Sequence, residues 1–261
     1  MKYTGMKQGE GNVTTPKEEG ELITGVLFEE MGTGGITRGP CPGVDGRDAI
    51  VEMKDEGFPG WPEVEWAGFH VKYLIQKICQ KKLADKVKPL TIRKRHLVKG
   101  EYLWDPRFCA NEEKHVILGD VDEYLELIET EGNGGIGLLI INAVAKYDLN
   151  GDFRRWHDEL KGGPSEYTVE REVEGRPPRM RKTEYMITTV TGYYFTLSDL
   201  EKGVERGWLR DDFQRGMRNF DGSPRKEKYL LSLYETPTKY RLFIWNFNMD
   251  SEEFKDQLHS M

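Results

Sequence analysis

Asp45, Asp48, Glu52 and Lys54 fall close together in the stretch "GPCPGVDGRDAIVEMKD" (39–55). An acid and an amine two positions apart, behind two further carboxylates, form a set able to hold a hard cation and act on its bound water. Mg2+ takes oxygen ligands and keeps several waters, so paired carboxylates suit it. A neighbouring lysine offsets the repulsion between the acids and can orient or deprotonate the attacking water. Hydrolysis of a phosphodiester is the reaction such a set serves.

Those side chains act together only if the local structure aims them together. Asp45-Gly46 reads as a turn, and "AIVEMK" (49–54) as a short strand. Alternation then puts Ile50, Glu52 and Lys54 on one face and Val51 and Met53 on the other. A same-face ion pair on an exposed strand would use Glu52 and Lys54 equally well. Upstream, Thr15 caps a helix with Pro16 in its first turn and Glu18 closing a capping box. Leu22, Ile23, Val26 and Leu27 share one face of that helix, and Glu30 continues the stripe as a carboxylate. Gly20 and Gly25 weaken it. Downstream, a helix fits 66–84, with Val71, Leu74, Ile75 and Ile78 inside, followed by a strand "LTIRKRHLV" (90–98).

The order helix, strand, hairpin strand, strand with Glu-x-Lys, helix, strand, centred on "VDGRDAIVEMK", resembles the core of the PD-(D/E)xK nucleases. This superfamily holds most type II restriction endonucleases. The resemblance implies an Mg2+ held by an aspartate and by the acid of the strand motif, with the lysine assisting the water. On this sequence the acid is Glu52, the lysine Lys54 and the aspartate Asp45, with Asp48 as rival; Glu30, or else Glu29, matches a helix glutamate that often joins the site. The implied activity is Mg2+-dependent cleavage of double-stranded DNA by a homodimer.

From about residue 100 the pattern changes. "YLWDPRFCANEEK" (102–114) reads as an irregular connector, Asp120 and Glu123 as a capping box, and "IGLLIINAVAKYDL" (136–149) as a long buried strand. A helix near 151–160, strands near 166–173 and 183–197, a helix near 198–207 and strands at 228–235 and 239–247 complete the pattern. The fold class is α+β: a mixed sheet flanked by helices with an appended C-terminal α+β region. The expected division is an arm (1–16), a catalytic core (17–100) and a recognition or dimerisation region (101–261).

The net charge of -7 opposes non-specific coating of nucleic acid, which needs many lysine and arginine contacts. Local basic clusters remain: Arg93, Lys94 and Arg95 in one, and Arg176, Arg179, Arg181 and Lys182 in "EGRPPRMRKTEY" (174–185), whose prolines suit an extended arm in a DNA groove. An exposed hairpin loop has the same composition.

The 3 cysteines, Cys41, Cys79 and Cys109, fit neither a disulfide framework nor a zinc site and read as reduced thiols. No window approaches a membrane span or a signal segment, so the cytosol is the expected compartment. "DLNGDFRRWHDE" (148–159) mimics a calcium loop but has Phe153 where such loops need Gly; a turn before a helix explains it better. No metalloprotease, Walker or dinucleotide motif is present. The alternative to a nuclease is a non-catalytic α+β module that binds nucleic acid or protein.

Overall fold

A computed structural model describes residues 15–31, 43–110, 113–219 and 221–247. Cys41, the glycine-rich stretch 32–35, most of the N-terminal arm and the acidic C-terminal end lie outside them. The elements are α1 (Pro16–Glu30), β1 (Val44–Asp45), α2 (Gly46–Asp55), α3 (Trp66–Lys82), β2 (Lys88–Ile92), β3 (Arg95–Lys99), β4 (Leu103–Ala110), β5 (His115–Asp120), α4 (Val121–Glu131) and β6 (Gly135–Tyr147). They continue with α5 (Asp152–Leu160), α6 (Glu166–Val173), β7 (Lys182–Thr196), α7 (Leu197–Arg206), β8 (Leu209–Phe213), β9 (Lys228–Ser232), a 3-10 turn and β10 (Arg241–Asn246). The fold is α+β, with a mixed sheet flanked by helices.

The main sheet has the order β1-β7-β6-β4-β3-β2, and β10 also pairs with β7. Strands β4 and β6 run parallel, with Asp105 opposite Leu138, while the other pairings are antiparallel. Strands from both sides of residue 100 therefore share one sheet. A second, three-stranded sheet has the order β5-β9-β8.

Alternation along β6 divides the interior. Leu139 and Ile141 join the core packed under α1, α2 and α3, whereas Leu138 and Ile140 join the core under α4, α7 and the small sheet. One strand thus serves two cores, which is why it reads as a continuous apolar run.

Several local expectations hold. Thr15 caps α1 by accepting from the Glu18 amide; α3, α4, α5, β6, β7 and α7 form near their expected positions. Asn150 accepts from the Asp152 amide, Asp148 from the Arg154 amide, and Gly151 has φ 78°, so 148–152 is a capped turn into α5. Gly20 does not break α1, because it lets the helix approach the sheet: a Cβ there would lie 2.5 Å from Trp104 Cη2.

Four expectations are corrected. Residues 46–55 are helical, not a strand. The run 90–98 folds back on itself at Arg93 and Lys94, both of positive φ, giving the β2–β3 hairpin. The supposed connector contains β4, in which Trp104 and Asp105 are fully buried. Residues 166–173 form a helix capped by Ser165.

Candidate functional site

Asp45 ends β1 and begins α2. Its Oδ1 accepts from the amides of Arg47 (2.8 Å) and Asp48 (3.2 Å), the geometry of an N-cap. Gly46, Ala49, Ile50 and Met53 are the buried positions, a helical spacing, and they seat α2 under α3 and β7. The helix separates what a strand would have aligned. Glu52 and Lys54 are two residues apart, about 200° around a helix. Asp45 and Glu52, seven apart, are separated by about 10 Å along the axis. Each carboxylate is also engaged elsewhere.

Glu52 faces α3. Its Oε1 accepts from Tyr73 Oη (3.0 Å) and Lys77 Nζ (2.9 Å), and Lys77 also donates to Glu56 (2.6 Å). The His70 imidazole, followed by Lys77 and Tyr73, holds the Glu52 carboxyl down at about 2 against partial burial. His70 Nε2 stands 3.9 Å away, too far for a full hydrogen bond, so the direct bonds are those of Lys77 and Tyr73. On its other nitrogen His70 contacts the buried Tyr185 hydroxyl at 2.8 Å. Lys54 lies over the Trp61 ring at 5.3 Å. Glu30, at the end of α1, pairs with Lys81 and Lys82, which hold its carboxyl below the usual range; Glu29 lies 3.7 Å from Lys82. Asp45, Glu52, Lys54 and Glu30 are thus not brought together.

The expected DNA-contacting residues divide. Arg93 and Lys94 stand at the β2–β3 tip, where Arg93 makes a two-pronged pair with Glu126 (2.8 and 2.9 Å). Arg95 points inward, donating to the Leu118 carbonyl at 3.0 Å. Arg176 and Arg179 are exposed. Arg181 and Lys182 are buried and bound to Asp158 (2.7 Å) and Glu65 (2.7 Å). Those two arginine-arm positions serve internal ion pairs instead of a groove.

A second cluster, absent from the sequence reading, lies on β4. Asp105 is fully buried, and its Oδ2 accepts from Arg107 Nε (3.0 Å) and Nη2 (2.5 Å), two positions along the same strand face. Lys72 on α3 brings its amine to 3.8 Å from Asp105 Oδ1. Arg95 and Arg107 both donate to the Leu118 carbonyl, and Arg95 covers Tyr124 at 5.5 Å. Glu123 lies 3.8 Å from Arg95. Gly119, φ 152°, makes room for this: a Cβ there would fall 2.0 Å from Arg95 Nη1.

Burial lowers the Lys72 pKa to about 8, with repulsion from Arg107 adding to it and Asp105 opposing. The same burial, with Lys72 nearby, lowers His96 to about 4. Asp105 Oδ1 and Tyr124 Oη are buried without a hydrogen-bond partner. An amine half-neutral near pH 8 beside two guanidinium groups can accept a proton and attract an oxyanion. The signal for this cluster was Asp105-x-Arg107, hidden because Pro106 made the stretch look irregular.

Magnesium does not fit either place. Among the described residues no group of three or more acidic, histidine or cysteine side chains could hold a metal ion. Glu52 is occupied by donors, and the single buried acid of β4 faces two cations, Lys72 and Arg107.

No family model matches the chain, and no curated protein matches it. Among solved structures it is similar to the crystal structure of the restriction endonuclease BglI bound to its DNA recognition sequence. That similarity covers 90% of this chain and 95% of that one, at 9% identity and a TM-score of 0.27. A likeness of that size says nothing about activity. No helix among the described residues is long and apolar enough to cross a membrane.

Proposed function

We propose that the protein is an endonuclease of the restriction class, hydrolysing phosphodiester bonds of double-stranded DNA, with its reaction centre on β4. One observation carries the reading. The order helix, three antiparallel strands, helix and strand is realised by α3, β2, β3, β4, α4 and β6, with β5 set aside in the small sheet. The third strand of that unit bears an acid and a cation two apart, Asp105 and Arg107. This order is the one expected for residues 17–98, and its presence further along the chain supports the reading.

In this reading Arg95 and Arg107 attract the phosphate, since planar guanidinium groups match phosphate oxygens. The neutral form of the Lys72 amine takes the proton of the attacking water as the water oxygen bonds to phosphorus. The P–O bond to the leaving sugar oxygen breaks, and that oxygen takes a proton from solvent. The lowered Lys72 pKa of about 8 suits the task. Asp105 positions Lys72 and Arg107. Arg93 and Lys94 at the hairpin tip meet the DNA backbone. The Mg2+ that the resemblance implies has no fitting ligand set here, so no step is drawn through it.

A second reading has a specific observation in its favour. Glu52 and Lys54 are held in structural contacts, which suits a non-catalytic α+β module that binds nucleic acid without cutting it.

The test is incubation with supercoiled and linear DNA, in Mg2+ or in EDTA, of the wild type and of Lys72→Met, Glu52→Ala and Lys54→Ala. The nuclease reading expects cutting that Lys72→Met abolishes and Lys54→Ala preserves. Binding without cutting in every protein selects the second reading. Cutting that survives Lys72→Met but fails in Glu52→Ala and Lys54→Ala removes β4 from the chemistry.

A further inference from the structure

We propose that the acidic side of α4 is a built-in competitor for nucleic acid. Its carboxylates hold cations of the β2–β3 hairpin and of the loop 214–227 in ion pairs that phosphates must displace, and this sets how tightly and how selectively the protein binds. The inference rests on the nucleic-acid binding that both readings above share.

Three carboxylates on α4 meet four cations from elsewhere in the chain. Glu126 takes both prongs of Arg93, at 2.8 and 2.9 Å. Glu123 lies 2.5 Å from Lys226 and 3.8 Å from Arg95, and Glu131 lies 2.6 Å from Lys99. The Arg93–Glu126 and Arg95–Glu123 pairs line a cleft together with Ile92, Leu127 and Thr130. Glu123 was placed to close a capping box with Asp120, yet the Asp120 side chain makes no capping bond, and Glu123 turns to the cations instead.

These pairs do little to hold α4 in place. Tyr124, Leu127 and Ile128 anchor the helix in the core, whereas Arg93 and Glu126 are 50% and 55% exposed and Lys226 is 66% exposed. Exposed ion pairs contribute little to stability and are screened by other ions. Nor does the turn itself call for cations. Arg93 and Lys94 form the hairpin tip at φ 47° and 67°, a conformation that suits Asn-Gly far better. Two cations kept there against backbone preference point to a role for their charge.

Glu123 and Glu126 stand one helical turn apart, so α4 offers successive oxyanions much as a phosphate backbone does. With its cations already neutralised, this surface gives little to a polyanion that touches it alone. A nucleic acid that makes further contacts displaces the carboxylates and gains the cations. Partial contacts are thereby penalised, which favours the correct ligand over incomplete ones. The net charge of -7 acts in the same direction at longer range.

Fluorescence anisotropy with a labelled DNA duplex in EDTA, over a salt series, tests this on the full chain, with circular dichroism confirming that each variant is folded. Glu123→Gln with Glu126→Gln should tighten binding about tenfold at low salt. It should also steepen the dependence of log Kd on log salt by about one or more, since each phosphate contact contributes about 0.9. Glu159→Gln with Glu205→Gln removes the same charge from exposed positions on α5 and α7 and should change Kd less than about threefold. In an Arg93→Gln background the gain from Glu126→Gln should fall to the level of that control, because partners in one pair are coupled. Tightening no greater than the control's, or a gain that persists without Arg93, overturns the proposal. Wild-type binding with no gain in the α4 variant removes the competitor and leaves nucleic-acid binding standing, whereas no binding by any of these proteins removes both.

Discussion

Lys72 of α3 stands 3.8 Å from Asp105 of β4, in the protein interior, with Arg107 on the other oxygen of the same carboxylate. Two cations share one buried acid, so burial of the amine is only partly offset.

The folded-state pKa of Lys72 is lowered from 10.5 to about 8, so between those values the unfolded chain binds more protons than the folded one. Stability contributed by Lys72 therefore rises as pH increases from about 8 to about 10.5. Below pH 8 the charged amine costs roughly 3 kcal/mol relative to an unperturbed lysine. The difference in unfolding free energy between the wild type and Lys72→Met, measured by urea at several pH values, should move in the wild type's favour across that window. A difference flat with pH would contradict the assignment.

Asp45 acts as a helix cap, accepting from two α2 amides. Asp45→Ala should cost about 1 kcal/mol in chemical denaturation, and Asp45→Asn a few tenths, because asparagine caps as well as aspartate. If the carboxylate charge itself were needed to grip a cation, Asn would be no better than Ala in a DNA cleavage assay.

Glu19 is buried on α1 and gathers donors from the Glu101 and Tyr102 amides and from Trp104 Nε1, at 2.8, 3.1 and 2.9 Å. Burial raises its pKa while those donors oppose the rise. Glu19→Leu leaves buried donors without an acceptor and should destabilise by about 3 kcal/mol or more. Glu19→Gln, which keeps one acceptor oxygen, should cost clearly less in the same denaturation series.

His96 and His157 are buried, and burial lowers each to about 4. Their folded values lie below the ordinary 6.5, so their contribution is complete above pH 6.5 and is lost as pH falls through about 4. His157 Nε2 faces the Trp61 carbonyl at 3.1 Å, which suits the neutral ring as donor. Thermal unfolding of His157→Gln should start from a lower Tm at pH 7 and show a shallower fall between pH 6.5 and 4.

Glu52 contributes in a lower window. Its carboxyl sits at about 2, against 4.5 ordinarily, so its stabilisation is present above 4.5 and disappears as pH falls towards 2. The group is 42% exposed, and salt should screen the effect. Glu52→Gln should flatten the acid limb at low ionic strength more than at high.

What the sequence determined by itself was whatever depends on near neighbours along the chain. Thr15 with Glu18, the apolar spacing through Val71, Ile75 and Ile78, and the unbroken run of β6 specify helix or strand from local caps and periodicity. Residues 49–54 read as a strand from their β-branched run and short length, although Gly46, Ala49, Ile50 and Met53, the buried positions, have helical spacing. Tertiary structure decided between them by packing that face against α3 and β7. The same is true of β4: residues 102–114 read as an irregular connector, and only pairing with β3 and the distant β6 makes a strand of Leu103–Ala110 and buries Asp105. Strand partners, and the groups that meet across them, are set by contacts between residues far apart in the chain. Local pattern carries no information about which of those contacts will close.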